Sequence, residues 1–297
     1  MKKVLITLIN PISWIKAYRI NKHKLKLDKS EYDLELYLYS RILKNDMMHY
    51  GYFDDVEIDP ETIALKDFED AQIKYSENVI GLIDNKSAAI LDVGCGMGGL
   101  AALLKEKNFT VETLTPNANQ KRHMSAKYPD IPCHKSKFEN FNTNKKFGTI
   151  INAESLQYIS LADAFDSAGR LLSEGGKWII ADYFKTHEGG VKKSGHVYDD
   201  FIAETKEKGW EIVWQRDITL NVLPTLNFLN MYVERFLLPL QHFAFEKLRS
   251  KYGGIYYLAE GLRGSIDAKI DKELDTVRPD KFLKEKKYLM IVLGRQH

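Results

Sequence analysis

The sequence predicts an α/β fold: a doubly wound, Rossmann-like sheet with N-terminal helices before it and a helical insertion ahead of its last strand. Three observations predict it. Between Ala88 and Phe184, short apolar runs alternate with helical patterns. One of those runs, Ile90-Leu-Asp-Val, passes directly into Gly94-Cys-Gly-Met-Gly-Gly, as a strand does when it turns tightly into a helix. The stretch between the run at Trp210 and the run at Tyr288 is too long for a loop and is dense in apolar and aromatic residues.

Residues 1–85 read as an N-terminal helical region. The first fifteen residues combine Lys2 and Lys3 with an apolar run, but Asn10 and Pro11 cut the run and no small-residue cleavage site follows, so it reads as uncleaved. With Trp14 and the cations Lys16, Arg19, Lys22, Lys24 and Lys26, this stretch fits an interfacial membrane helix, and equally a helix that packs on the domain. Ser30 is expected to cap a helix over 31–38, and Asp67 to open another that runs to Ile83.

Residues 86–220 carry the core. Strands are expected at Ala89–Val93, Val111–Thr115, Thr149–Ala153, Trp178–Asp182 and Trp210–Trp214, with helical patterns at Leu100–Leu104 and Phe165–Leu172. Residues 221–285 form the insertion, apolar from Leu223 to Leu262, and 286–297 hold the last strand. Such apolar density builds a substrate cap, a buried interface or plain helix-on-sheet core.

Composition narrows the function classes. A 44% hydrophobic share with 28% charged residues is that of a soluble globule with a real core. A net charge of +2 offers no global attraction for nucleic acid, so none is expected as a partner. Cys95 and Cys133 are the only cysteines and lack metal-ligand spacing, so no metal and no disulfide framework are expected, and a reducing cytoplasm is the default location.

The glycine stretch fits two templates. Gly94, Gly96 and Gly99 match the dinucleotide pattern, in which a pyrophosphate meets a helix N-terminus, while Gly94, Gly96 and Gly98 match the D-x-G-x-G-x-G pattern. Asp92 favours the second, because its carboxylate repels a pyrophosphate and attracts a cationic amine.

With these residues in view, the chain resembles class I S-adenosylmethionine-dependent methyltransferases. Within them it is most similar to the group containing cyclopropane fatty acid synthases and small-molecule C- and O-methyltransferases. Four segments carry the resemblance: Ile90 to Gly99, Ile151-Asn-Ala-Glu-Ser-Leu-Gln-Tyr-Ile, Leu172-Ser-Glu-Gly-Gly-Lys-Trp-Ile-Ile-Ala-Asp-Tyr-Phe, and Met48-His-Tyr-Gly-Tyr-Phe. The resemblance implies S-adenosylmethionine as cofactor. It implies contacts from Asp92, Gly94, Cys95, Gly96 and Gly98 in the glycine turn, from Asn152 and Ala153 after the fourth strand, and from Tyr50 and Tyr52 in a covering segment. Where family members carry a ribose-binding acid this chain has Thr115, with Asn117 and Gln120 close behind; Glu112 alternates to the opposite face of that strand. Where they carry an adenine-binding acid it has Lys137, leaving Phe138 to offer its backbone N–H and ring. The Cys, His and second Tyr that hold bicarbonate in cyclopropane synthases have no counterpart, so that reaction is not carried over.

Four titratable residues fall near the ends of the fourth and fifth strands and are the catalytic candidates: Tyr158, Glu154, His187 and His196. Each has a plainer reading. Tyr158 fits core packing, Glu154 fits a cap on the turn at Ser155, and the two histidines fit the surface of a loop around Gly189-Gly190. His49 reads as part of the covering segment. The expected function is methyl transfer to a small lipophilic acceptor such as an isoprenoid, polyketide, aromatic metabolite or lipid. A nicotinamide oxidoreductase and a non-catalytic binding protein of the same fold are the alternatives.

Overall fold

The computed structural model describes residues 10–22, 41–187 and 195–258, scattered positions from 260 to 274, and residues 278–295. The helix expected after Ser30, Lys24 and Lys26, the Gly189-Gly190 pair and Leu262 lie outside the described residues.

Seven strands build one sheet: β1 Ile90–Val93, β2 Val111–Thr115, β3 Cys133–Lys135, β4 Phe147–Ala153, β5 Leu172–Lys185, β6 Trp210–Asp217 and β7 Lys286–Arg295. Their order is β3-β2-β1-β4-β5-β7-β6. The first five run parallel to one another, whereas β7 runs antiparallel to both β5 and β6. That reversal follows from the connection. The chain leaves β6 at the edge where the parallel strands end, stays there through the insertion, and enters β7 from the same edge. The insertion is thereby fixed beside the carboxyl ends of β1, β4 and β5, where ligands of such sheets bind.

Strand β1 is buried throughout, as a central parallel strand covered on both faces must be. In β5 the alternation sends Ile179, Ala181 and Tyr183 into one core and Trp178, Ile180 and Phe184 into the other. The second core centres on Trp178 and Trp210, both fully buried, with ring centroids 5.6 Å apart and steeply tilted. The three-residue β3 has no sequence signature; only its pairing with Thr113, Leu114 and Thr115 makes it a strand.

Helix α1 spans Pro11–Lys22 and α2 Leu65–Ile80. Asp67 does not stand at the cap of α2; it lies one turn in, and its carboxylate accepts the Ala64 amide at 2.9 Å. The helix ends at Ile80, short of Ile83, because Gly81 takes the cap position. Next come α3 Gly99–Glu106, α4 Ala118–Lys127, α5 Leu161–Leu171 and α6 Tyr198–Glu207.

The insertion begins two residues earlier than expected, with α7 at Thr219–Tyr232. A π-helical turn follows at Val233–Leu237, then α8 Leu238–Lys251, α9 Gly253–Leu258 and α10 Pro279–Glu285. Its apolar residues divide sharply. In α7, Val222, Leu226 and Phe228 are buried. Beyond it, Phe236, Leu240 and Phe243 are 62%, 65% and 61% exposed, so the plain core reading applies to α7 and not to α8.

Candidate active site

The site grows from the end of β1. Gly94, Gly96 and Gly98 take φ values of 78°, 56° and 95°, a left-handed region open chiefly to glycine. Gly94 has a second constraint, since a Cβ there would lie 2.4 Å from the Ser155 Cβ. Ser155 cannot retreat: its hydroxyl donates to the Val93 carbonyl at 2.5 Å and accepts from Asn152 Nδ2 at 2.8 Å, while Asn152 Oδ1 accepts from Trp178 Nε1 at 2.8 Å. This buried relay welds the β4 exit to the glycine turn. Gly94→Ala is expected to destabilise the fold by about 2–4 kcal/mol, from positive-φ strain plus overpacking, read as a lower midpoint in denaturant.

Gly99 explains why the dinucleotide template fails. Its amide donates to the Asp46 carbonyl at 3.2 Å, and a Cβ on it would lie 2.6 Å from the Asn45 carbonyl oxygen. Segment 43–53 therefore lies directly on the start of α3. Asp46 itself is buried, held by Tyr128 Oη at 2.7 Å, Lys127 Nζ at 2.5 Å and His123 Nε2 at 3.2 Å. Backbone thus occupies the helix end a pyrophosphate needs, while the Asp46 carboxylate is held at the far end of α4.

Asp92 sits beneath the turn, 2% exposed, and its Oδ2 is buried without a hydrogen-bond partner among the described residues. Burial, with the neighbouring Cys133 adding to it, pushes the carboxyl up to about 7. An orphaned buried oxygen of this kind calls for a donor, and a cationic ligand amine meets the need.

The second carboxyl centre is Glu154, just past β4, at the unusual φ of 52°. Its amide donates to the Ala181 carbonyl at 2.8 Å, and Oε1 contacts the Tyr50 amide at 2.8 Å and the Tyr288 hydroxyl at 2.9 Å. Tyr288 and Tyr75 hydroxyls lie 2.7 Å apart, and Tyr75 donates to the Ala181 carbonyl at 3.1 Å. Two hydroxyl protons serve all three of these tyrosine contacts. With Tyr288 donating to Glu154 Oε1, the single Tyr75 proton is shared between the Ala181 carbonyl and the Tyr288 oxygen. Burial pushes Glu154 up to about 7, opposed by its bonds from Tyr50 and Tyr288. Asp182, pushed up to about 8 by burial and by the charge of Glu154, accepts the Tyr183 and Gln157 amides at 2.8 and 3.1 Å.

Around Glu154 the walls are aromatic. The Tyr50 ring lies 5.9 Å from Tyr288 and 6.2 Å from Phe282 of α10. His49 stacks on Tyr75 at 4.2 Å, and burial drives it down to about 4, so it is neutral near pH 7. Because a carbonyl only accepts, its contact with the Tyr50 oxygen at 2.8 Å places the ring proton on Nδ1, leaving Nε2 to accept from Ser76 at 3.0 Å. Segment 49–53 is clasped from the other side by α7: the Gly51 amide donates to Thr225 Oγ1 at 3.0 Å and the Phe53 amide to the Asn221 carbonyl at 2.9 Å. Arg216 on β6 donates to the Tyr52 hydroxyl at 2.7 Å.

The other expected residues divide. Thr115, Asn117 and Gln120 do converge: the Thr115 hydroxyl donates to Gln120 Oε1 at 2.5 Å, and Asn117 Oδ1 caps α4 by accepting the amides of Asn119 and Gln120. Lys137 is exposed and paired with Glu139 at 3.5 Å. The Phe138 ring is buried in the core cluster that holds Leu91, Leu114 and Phe141, which corrects the expectation of an offered ring face. Ala153 is half-buried beside Glu154. Among the catalytic candidates, Tyr158 is 77% exposed on a 3-10 turn, His187 is exposed with Nδ1 2.9 Å from Thr186 Oγ1, and His196 Nε2 donates to the Leu156 carbonyl at 3.1 Å. Only Glu154 lies within the aromatic ring. Nor does Glu154 cap the turn after Ser155; Asp182 accepts that turn's Gln157 amide instead.

Sequence reasoning missed Tyr75, Tyr288 and Asp182. Tyr75 reads as one more apolar position of an amphipathic helix, and Tyr288 and Asp182 as strand residues. Only their meeting at Glu154 sets them apart.

Comparison with known proteins agrees with this geometry. A family model described as a methyltransferase domain matches residues 69–217. An uncharacterized methyltransferase from Anoxybacillus flavithermus is 28% identical over 140 residues, covering 45% of this chain and 62% of that relative, so the alignment spans less than two thirds of the relative's length. In fold, the chain is similar to geranyl diphosphate C-methyltransferase from Streptomyces coelicolor in complex with Mg2+, geranyl diphosphate and S-adenosyl-L-homocysteine, with a TM-score of 0.60 and 16% identity over 88% of this chain and 98% of that one. It is likewise similar to the cyclopropane synthase MmaA2 from Mycobacterium tuberculosis, with a TM-score of 0.61 and 15% identity over 90% and 96% of the two chains.

Proposed function

The chain belongs to the methyltransferase domain family, and on that premise we propose that it transfers a methyl group from S-adenosylmethionine to a small lipophilic acceptor. The observation that carries the reading is the buried Oδ2 of Asp92, without a partner among the described residues, under a turn of three left-handed glycines. The cofactor's ammonium group is the donor that this oxygen lacks. Thr115 and Gln120 are assigned to the ribose, the Phe138 amide to adenine, and Gly94, Cys95, Gly96, Gly98, Asn152 and Ala153 to the backbone cradle. When bound, S-adenosylmethionine supplies an activated methyl group on its sulfonium sulfur.

Glu154 is the acid-base group in this reading. With its carboxyl near pH 7 it is ionised in a good fraction of molecules at neutral pH, ready to accept a proton from an acceptor hydroxyl or from the carbon that has gained the methyl. Tyr288 and Tyr75 position it, and the aromatic walls exclude water. Those walls and the insertion beside the strand ends support an apolar acceptor. The fold neighbour from Streptomyces was solved with geranyl diphosphate, whose geranyl chain is apolar.

Residues 1–85 and 221–285 are assigned as lid and cap over the core of 86–220 and 286–297. Among the described residues no helix is long and apolar enough to cross a membrane. Helix α1 exposes Ile12, Trp14, Ile15 and Tyr18 beside Lys16 and Arg19, which supports reversible contact with a membrane surface.

Calorimetry with S-adenosylhomocysteine, NAD and NADP tests the cofactor. Binding of S-adenosylhomocysteine alone is expected, and binding of a nicotinamide nucleotide in its place overturns the reading. Labelled S-adenosylmethionine incubated with a metabolite extract then identifies the acceptor, and a lack of any labelled product favours the non-catalytic alternative.

A further inference from the structure

The only two cysteines in the chain, distant in sequence, meet beneath the glycine turn. Cys95 lies between Gly94 and Gly96 and is buried; Cys133 opens β3 and is partly accessible. Both side chains join one buried cluster, Cys95 within it and Cys133 packed against it, and the Cys95 thiol donates to the Gly96 carbonyl at 3.9 Å. The fold brings them together across β2: Cys133 is in register with Thr113, Thr113 with Asp92, and the Cys95 amide folds over β2 to donate to the Leu114 carbonyl at 3.2 Å. Lys121 and His134 add positive charge that acts on Cys133. Methyl transfer as assigned above uses neither thiol group.

We propose that Cys95 and Cys133 are a redox-modification site that closes to a disulfide on reaction with a low-molecular-weight disulfide, and that closure disables the glycine turn. The two thiols have different roles. The neighbouring Cys95 holds the Cys133 thiol below its ordinary value, with Lys121 and His134 adding to the effect, while Cys95 is held above its own by Cys133 and by burial. Cys133, the more accessible and more acidic, attacks one sulfur of the incoming disulfide and releases the first thiolate. Cys95 then gives up its proton, attacks the Cys133 sulfur and expels the second. Two protein thiols and one external disulfide become one protein disulfide and two external thiols, with electrons and atoms balanced.

Joining the two sulfurs in a covalent bond pulls Cys95 toward β3. Its neighbours are glycines at φ 78° and 56°, so the strain falls on the turn that faces the cofactor. This consequence rests on the cofactor reading; the formation of the bond does not.

The experiment incubates the full chain with oxidised glutathione, alkylates the remaining thiols and maps peptides by mass. A Cys95–Cys133 bond is expected, with the intact mass lower by about 2 Da for the two hydrogens lost. S-adenosylhomocysteine affinity is expected to fall by about tenfold or more and to return with dithiothreitol. Cys133→Ser should form no bond and keep its affinity under oxidant. Two thiols that remain fully alkylatable, or a glutathione adduct that persists on Cys133, would overturn the site. A bond formed with affinity unchanged would overturn the switch. If the reduced chain fails to bind S-adenosylhomocysteine, the cofactor reading falls and peptide mass still decides the thiol pair.

Discussion

Glu154→Gln is expected to lower methyl transfer by about 10²–10⁴-fold, the range for loss of a general base, while changing S-adenosylhomocysteine affinity little. Glutamine keeps the size of the side chain and an oxygen that can accept from the Tyr50 amide and the Tyr288 hydroxyl, the two groups now on Oε1. The fold is therefore retained while the proton acceptor is lost. In the native protein, turnover should rise as pH passes upward through about 7, where burial has placed the Glu154 carboxyl, because only the ionised form accepts a proton. The glutamine variant should lose that limb of the profile. Tyr158→Phe is the control: with its side chain 77% exposed, it is expected to keep turnover within about twofold, since surface changes are usually small. Full activity in Glu154→Gln, or a large loss in Tyr158→Phe, would return the search to the turn after β4.

Asp92→Ala is expected to weaken S-adenosylmethionine binding by about 1.5–3 kcal/mol, roughly 10- to 150-fold, by removing the anionic partner of the ligand's amine. Without ligand the Asp92 carboxyl titrates near 7, raised by burial from its ordinary value. A cationic amine favours the ionised form, so binding expels a proton from whatever fraction is still protonated. Affinity should thus fall as pH drops from 8 to 6 and level off well above 7, with proton release seen when calorimetry is repeated in buffers of different ionisation heat. The alanine variant should lose this dependence. An unchanged dissociation constant in a folded Asp92→Ala would remove Asp92 from the site.

Some of this was legible in the sequence because it is governed by local rules. Alternating apolar runs with helical spacing dictate a doubly wound sheet, since a chain so patterned buries its faces in that way. Ile90-Leu-Asp-Val followed by glycines marks a strand-to-helix turn, because left-handed φ values are costly for other residues. Asp92 stood out for its place two residues before the first glycine, and Glu154 for its place after a strand.

Other features were decided only by tertiary contacts. Strand β3 exists through its partner β2, and β7 reverses because the insertion returns the chain to the edge it left. The choice between two glycine templates turned on Gly99, whose amide is taken by Asp46, a residue far away in sequence that folding lays across the helix end. Four titratable side chains were equal candidates along the chain, and burial separated them: it raises Glu154 into the working range and surrounds it with Tyr50, Tyr75 and Tyr288, while Tyr158 is left in solvent. Local spacing places a carboxyl at the end of a strand. Its protonation depends on desolvation and on hydroxyl partners drawn from distant segments, and those are settled only when the whole sheet has closed around it.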